Sequence, residues 1–190
     1  MTALLKPEPV SVDEYLEGEL ASEVKHEYVG GQVHAMAGGT TRHSAVATNV
    51  TTAFGGALRG KRCRPFNSDL KVRLELPGQT RFYYPDAMVV CELRPDNESW
   101  QDRPVVVVEV LSESTRRTDL TEKREAYLAI PTLKALIFVE PDFAHVTVHR
   151  RGPSGGFVVE EYAGLDAVIP LPEVEIELPL AEVYEGVKFH

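Results

Sequence analysis

Cysteine, tryptophan and positive charge are all scarce in this chain. Two cysteines, Cys63 and Cys91, and a single tryptophan, Trp100, occur in 190 residues. Each cysteine lies in apolar or strand-like sequence without CxxC spacing. Reduced thiols are therefore expected rather than a disulfide scaffold or a structural zinc site. No run approaches the roughly 20 apolar residues of a membrane helix, and the first residues lack the basic-then-apolar pattern of a signal peptide. The expectation is a cytoplasmic protein with no membrane partner. There is no P-loop and no dinucleotide-binding glycine motif. Lysine and arginine total 20 against 29 acidic residues, a formal charge of −9. Such a surface repels a polyanion unless basic residues cluster, which argues against tight non-specific nucleic-acid binding. It does not exclude an enzyme that gathers carboxylates around a cation, because the ion offsets their charge once bound. Arg59, Lys61, Arg62 and Arg64 form one local basic cluster, and Arg116, Arg117, Lys123 and Arg124 another; solvated surface is the simpler reading of either alone.

With 43% hydrophobic residues, the chain can bury one substantial core. A single domain over 1–190 is expected, with an N-terminal helix and hairpin (11–36) and a β-rich C-terminal extension (144–190). Ser11 ahead of Val12, with Glu14 three residues after Ser11, reads as a capping box opening a helix to about Leu20. Gly30-Gly31 divides two short strand-like runs between Glu27 and Met36, a hairpin. A longer helix starts near Thr40 or Thr41 and stops near Arg59, before Gly60. Val46, Val50, Phe54 and Leu58 share its apolar face, and His43 falls on the same face. Strands follow from Arg64 to Phe66, Leu70 to Leu76, Arg81 to Tyr84, Ala87 to Cys91 and Pro104 to Leu111. Asp119 with Glu122 reads as a second capping box, opening a helix that Pro131 ends. Ala135 to Val139, Val146 to Arg150 and Phe157 to Tyr162 are further strands. The class is α/β, in an α+β-like variant: a mixed central sheet flanked by helices.

Three charges stand where a core is expected. Val105 to Leu111 is an apolar run suited to a strand covered on both faces, and Glu109 interrupts it. A buried carboxylate is costly unless it is paired, protonated or bound to a metal. Asp86 interrupts a second apolar strand, Tyr83 to Cys91, directly after Pro85, which suits an edge, a bulge or a strand start. Two such carboxylates are what Mg²⁺ or Mn²⁺ takes from a protein, leaving its other positions to water and phosphate. An edge position or a buried ion pair is the structural alternative. Lys123 lies between Leu120 and Tyr127 on the inward face of the next helix, where it either snorkels to the surface or directs its ammonium at the acids.

Pro85-Asp86 on one strand, Glu109 on the next long one and a nearby lysine together resemble the PD-(D/E)xK nuclease superfamily. Within it, Lys25-His26-Glu27-Tyr28, Met36 to Thr40 with His43, Tyr84-Pro85-Asp86, Val108 to Ser112, and Asp119 through Lys123 to Tyr127 look like a large bacterial family of restriction endonucleases. The resemblance covers about Val12 to Arg150. It implies a restriction-endonuclease-like core in which Asp86 and Glu109 are metal ligands, Glu27 a third acid and Lys123 the catalytic lysine. His43, Asp69 and Tyr127 are candidates for the periphery. Mg²⁺ or Mn²⁺ is the implied cofactor, DNA the implied substrate, and a homodimer across the duplex a family-style expectation. In the superfamily pattern the lysine stands two residues after the second acid, a position held here by Leu111, so its function must have moved to Lys123.

Other motifs carry less. Gly152-Pro153-Ser154-Gly155-Gly156 matches the spacing of a nucleophile elbow, but with strand-like sequence on both sides it reads as a hairpin turn. Asp69, Lys71, Arg73 and Glu75 alternate with apolar residues, a solvated strand face. Glu173, Glu175 and Glu177 alternate likewise and suggest an acidic edge strand. Trp100 either stacks on a base or covers the core. Two functions follow: a metal-dependent DNA endonuclease, or an inactive nuclease-like module that binds nucleic acid or protein. Leu111 and the charge of −9 favour the second, whereas the features taken together favour the first.

Overall fold

In the computed structural model, which describes residues 8–36 and 38–189, capping and turn residues set most element boundaries. Helix α1 (Val12–Ala21) opens on the expected box: the Glu14 amide donates to the Ser11 hydroxyl at 3.3 Å and the Ser11 amide donates to the Glu14 carboxylate at 2.8 Å. Strands β1 (His26–Val29) and β2 (Gln32–Ala35) form the hairpin. Gly30 and Gly31 turn it at φ of 54° and 97°, where a Cβ would strain the backbone. Helix α2 (Thr41–Ala57) is capped by the Thr40 hydroxyl, which accepts from the His43 amide at 3.2 Å.

Strands β3 (Arg64–Asn67), β4 (Lys71–Leu76), β5 (Gln79–Tyr83), β6 (Ala87–Val90), β7 (Trp100–Gln101) and β8 (Pro104–Val110) follow. Then come a helical stretch over 116–128 and strands β9 (Ala135–Val139), β10 (His145–Arg151), β11 (Phe157–Ala163), β12 (Val168–Leu171) and β13 (Ile176–Pro179). The central sheet has the order β11-β10-β9-β8-β6-β3. Only the β8–β9 pair in it is parallel, so it is mixed. Alternation along β8 sends Val106, Val108 and Val110 towards Val46, Val50 and Phe54 of α2. Val107 and Leu111 face the other way, into a cluster with Ala126, Tyr127 and Phe138. Glu109 shares that second parity.

The strands from 26 to 101 do not all join the central sheet. β2-β1-β5-β4-β7 make a second, five-stranded sheet. Trp100 sits in it at 6% exposure beside Tyr15, Tyr28 and Phe82, so it covers a core. The Gly152–Gly156 segment is the β10–β11 turn.

Four expectations are corrected. Cys63 and Cys91 form a disulfide: they stand one step beyond the paired Arg64 and Val90 of β3 and β6, so strand register brings the sulfurs together. Asp119 does not cap a helix. The helix begins as α3 (Arg116–Thr118), and the Asp119 amide already donates to the Thr115 carbonyl at 2.9 Å. A π-helical turn (Asp119–Lys123) leads into α4 (Arg124–Leu128), with the Arg124 amide donating to the Asp119 carbonyl. The wider turn rotates Asp119 inward, while Glu122 stays out and accepts from the Tyr83 hydroxyl at 3.0 Å. Lys71 is buried rather than solvated and donates to the Tyr84 hydroxyl at 3.1 Å. Glu173 belongs to a 3₁₀ turn (Pro172–Val174) and pairs with Arg150, so the acidic strand shrinks to β13.

Candidate active site

The ends of β6 and β8 position the two acids. Asp86 lies just before β6, and its Oδ2 accepts the Val110 amide at 2.7 Å, tying the entry of one strand to the exit of the other. The His43 Nε2 stands 3.4 Å from the same oxygen. Glu109, 4% exposed, accepts from the Tyr127 hydroxyl at 2.7 Å through Oε1. The Lys123 Nζ reaches 3.5 Å from that oxygen, 2.7 Å from Glu27 Oε1 and 3.5 Å from Asp119 Oδ1. Lys123 points inward rather than snorkelling. Leu111 fills the core on the side of the strand where Glu109 emerges, and the ammonium arrives from the helix instead.

Asp86, Glu109, Asp119, Lys123 and His43 line one cavity of about 440 Å³. Glu27 reaches the group through Lys123, and Tyr127 braces Glu109 from behind. Asp69 stands apart, exposed and paired with Lys25 at 2.6 Å. The residue missed in the sequence is Asp119. Its signal was present: Asp119, Lys123 and Tyr127 recur every four residues, a helix face that the capping-box reading obscured.

Burial dominates the electrostatics. It pushes the Glu109 carboxyl up to about 8; the Lys123 charge opposes this, while Asp86 and Asp119 add to it. Burial works against the Lys123 ammonium as well, but the charges of Glu109, Glu27 and Asp119 outweigh it and raise its pKa. Lys123 is therefore a fixed cation at neutral pH. The contact with Asp86 raises the pKa of His43 against the effect of its burial.

Among the described residues, no three His, Cys, Asp or Glu side chains converge as a ready coordination sphere. A hard cation that keeps water and phosphate among its ligands needs only one or two carboxylates, which Asp86 and Glu109 can provide. Glu27 Oε1 and Asp119 Oδ1 are buried and face no donor but the shared Lys123 ammonium, at 2.7 Å and 3.5 Å. Three carboxylates, Glu27, Glu109 and Asp119, face one lysine, Asp86 lines the same cavity, and that surplus of negative charge suits a divalent ion.

The mixed sheet, its flanking helices and this arrangement of acids define a restriction-endonuclease-like domain. The chain is similar to the crystal structure of a putative nuclease from Anabaena variabilis ATCC 29413, with a TM-score of 0.72 over 92% of this chain and 97% of that one, at 22% identity. It belongs to the Uma2 family, described as "Putative restriction endonuclease", whose model matches residues 12–181. Two proteins of Synechocystis sp. (strain ATCC 27184 / PCC 6803 / Kazusa), each described as uncharacterized, are similar along nearly their whole lengths. One, slr1290, is 31% identical over 95% of this chain and 94% of its own, and the other, sll1609, is 25% identical over 86% and 93%.

Proposed function

We propose that the protein is a metal-dependent endonuclease that hydrolyses phosphodiester bonds of DNA, with water as the nucleophile. One observation carries this reading: a buried ammonium, Lys123, enters the Asp86–Glu109 cavity from a helix and stands 3.5 Å from Glu109, on the side that Leu111 leaves without a cation. Asp86 and Glu109 would hold Mg²⁺ or Mn²⁺, which supplies acidification of the attacking water and polarisation of the scissile phosphoryl group. Tyr127 fixes Glu109 by its hydrogen bond. Asp86 is fixed by the Val110 amide. Lys123, held charged by Glu27 and Asp119, acts as a donor rather than a base. It orients the water or a non-bridging phosphate oxygen and offsets the charge that develops there.

Supercoiled plasmid incubated with Mg²⁺ or Mn²⁺ should be nicked or linearised. Asp86→Ala and Glu109→Ala should each lower the rate by at least 100-fold, within the range that follows loss of a group acting on the transition state. Cleavage undiminished in both variants would overturn the assignment. An inactive binding module rested on Leu111 and the charge of −9; an ammonium beside Glu109 answers the first of these and leaves the second.

A further inference from the structure

We propose that the cleft running from the acid cavity along α2 seats the phosphodiester backbone of one substrate strand. The proposal rests on the nuclease reading and extends it from the scissile bond to the strand beside it. A second cavity, of about 510 Å³, shares Met36, Gly38, Gly39, His43 and Asp86 with the acid cavity. The two are one cleft bent around His43 and Asp86. A chain lying in the second reaches the carboxylates in the first.

Hydroxyls line its α2 wall. Ser44, Thr48 and Thr52 recur at four-residue spacing on one helix face, and Lys25 and Ser68 stand on the cleft's lining with them. From Ser44 to Thr52 the helix rises about 12 Å, the axial rise of three to four nucleotides of one strand at about 3.4 Å each. Among the described residues, the Ser44 and Thr48 hydroxyls donate to nothing, whereas that of Thr52 donates to the Thr48 carbonyl at 2.8 Å. Two free donors therefore face the cleft, of a kind that commonly holds phosphate oxygens and fixes the register of a strand. Asp86 is the only acid among the residues lining the second cavity. The acids of the cleft thus gather at its other end, where a divalent ion would offset them, and the α2 wall can admit a polyanion.

Lys25 is the single lysine in this lining, and at rest it is paired with the exposed Asp69 at 2.6 Å, a partner that a phosphate would displace. At most one phosphate charge is neutralised, not six to ten. The expected plot of log K against log salt concentration is shallow, with a slope no steeper than roughly −0.7 to −0.9.

Fluorescence anisotropy of the full chain with labelled 12-nucleotide single-stranded and duplex DNA, in Ca²⁺ at several salt concentrations, tests the cleft. Thr48 is exposed on α2, so Thr48→Glu should keep the wild-type circular dichroism spectrum and weaken binding at least tenfold. Val159→Glu, which adds the same charge at an exposed site on β11, should bind within twofold of wild type. Lys25→Gln should flatten the salt slope by about 0.7 to 0.9. Loss with either DNA supports the strand path, and the affected form identifies the source of the backbone. Binding of both DNAs by Thr48→Glu within twofold of wild type, or a wild-type slope steeper than about −6, would overturn it. Plasmid cleavage by wild type with an unaffected Thr48→Glu removes the cleft alone. Weakened binding by Thr48→Glu without any wild-type cleavage removes the nuclease reading alone.

Discussion

Glu109 links the site to the stability of the fold. Its carboxyl titrates near 4.5 in the unfolded chain and is raised to about 8 in the metal-free fold, chiefly by burial. Between those values the folded protein holds a proton that the unfolded chain has released. Stability from this group is therefore complete below about pH 4.5 and is lost as pH rises through about 8. His43, raised above its ordinary 6.5, acts in the same direction at the upper end of that window. Urea denaturation of the metal-free protein should show a midpoint that falls from pH 5 to pH 8, and Glu109→Gln should flatten the fall. Lys123→Met should steepen it, because three carboxylates lose the ammonium that faces them. Breaking a buried pair in this way costs about 3–5 kcal/mol once the remaining partner is charged. A pH-independent midpoint in wild type would show that Glu109 ionises freely. Asp86, Glu109 and Lys123 were legible in sequence as charges breaking apolar patterns. Lys71 was not: its strand alternates cleanly, and only the fold shows that a second layer covers the face on which it lies.

Helix α2 places His43 by a local device. A Cβ on Gly39 would come within 2.8 Å of the His43 Nδ1, so the ring occupies space that only glycine leaves open. Gly39→Ala should displace the ring from Asp86 while leaving the Thr40 cap and the helix in place. The His43 pKa, followed by NMR of its ring protons, should then fall below its wild-type value, because the contact with Asp86 is the largest cause of its elevation. An unchanged titration would mean that the ring and the carboxylate had stayed together. Where side chains sign an element's ends, as at Ser11, Thr40 and the Gly30-Gly31 turn, the sequence could be read directly. The helix over 116–128 could not be read in this way. A π turn changes which residues face inward without changing composition or capping signals, so Asp119 was assigned to a helix end when it belongs to the site.

At the scale of the molecule, the mixed central sheet was legible because long apolar strands announce burial on both faces, as β8 does. The second sheet was not, since β4 and β5 carry the same alternation whether they extend one sheet or begin another. Register is likewise invisible in sequence, and it joins Cys63 to Cys91 at the end of the β3–β6 pair. That bridge spans 28 residues and fastens the edge strand to the strand that Asp86 introduces. By loop-closure entropy, a cross-link of this span stabilises the fold by about 3–4 kcal/mol. For a domain of this size the corresponding change in Tm is on the order of 10 °C. Thermal unfolding followed by circular dichroism should therefore give a lower Tm with dithiothreitol than without it, and Cys63→Ser/Cys91→Ser should match the reduced protein and ignore the reductant. Alkylation and mass measurement of the unreduced protein, unfolded in denaturant, should find no free thiol. Two alkylated cysteines in that sample, or one Tm in both conditions, would mean that strand pairing alone holds the β3–β6 edge.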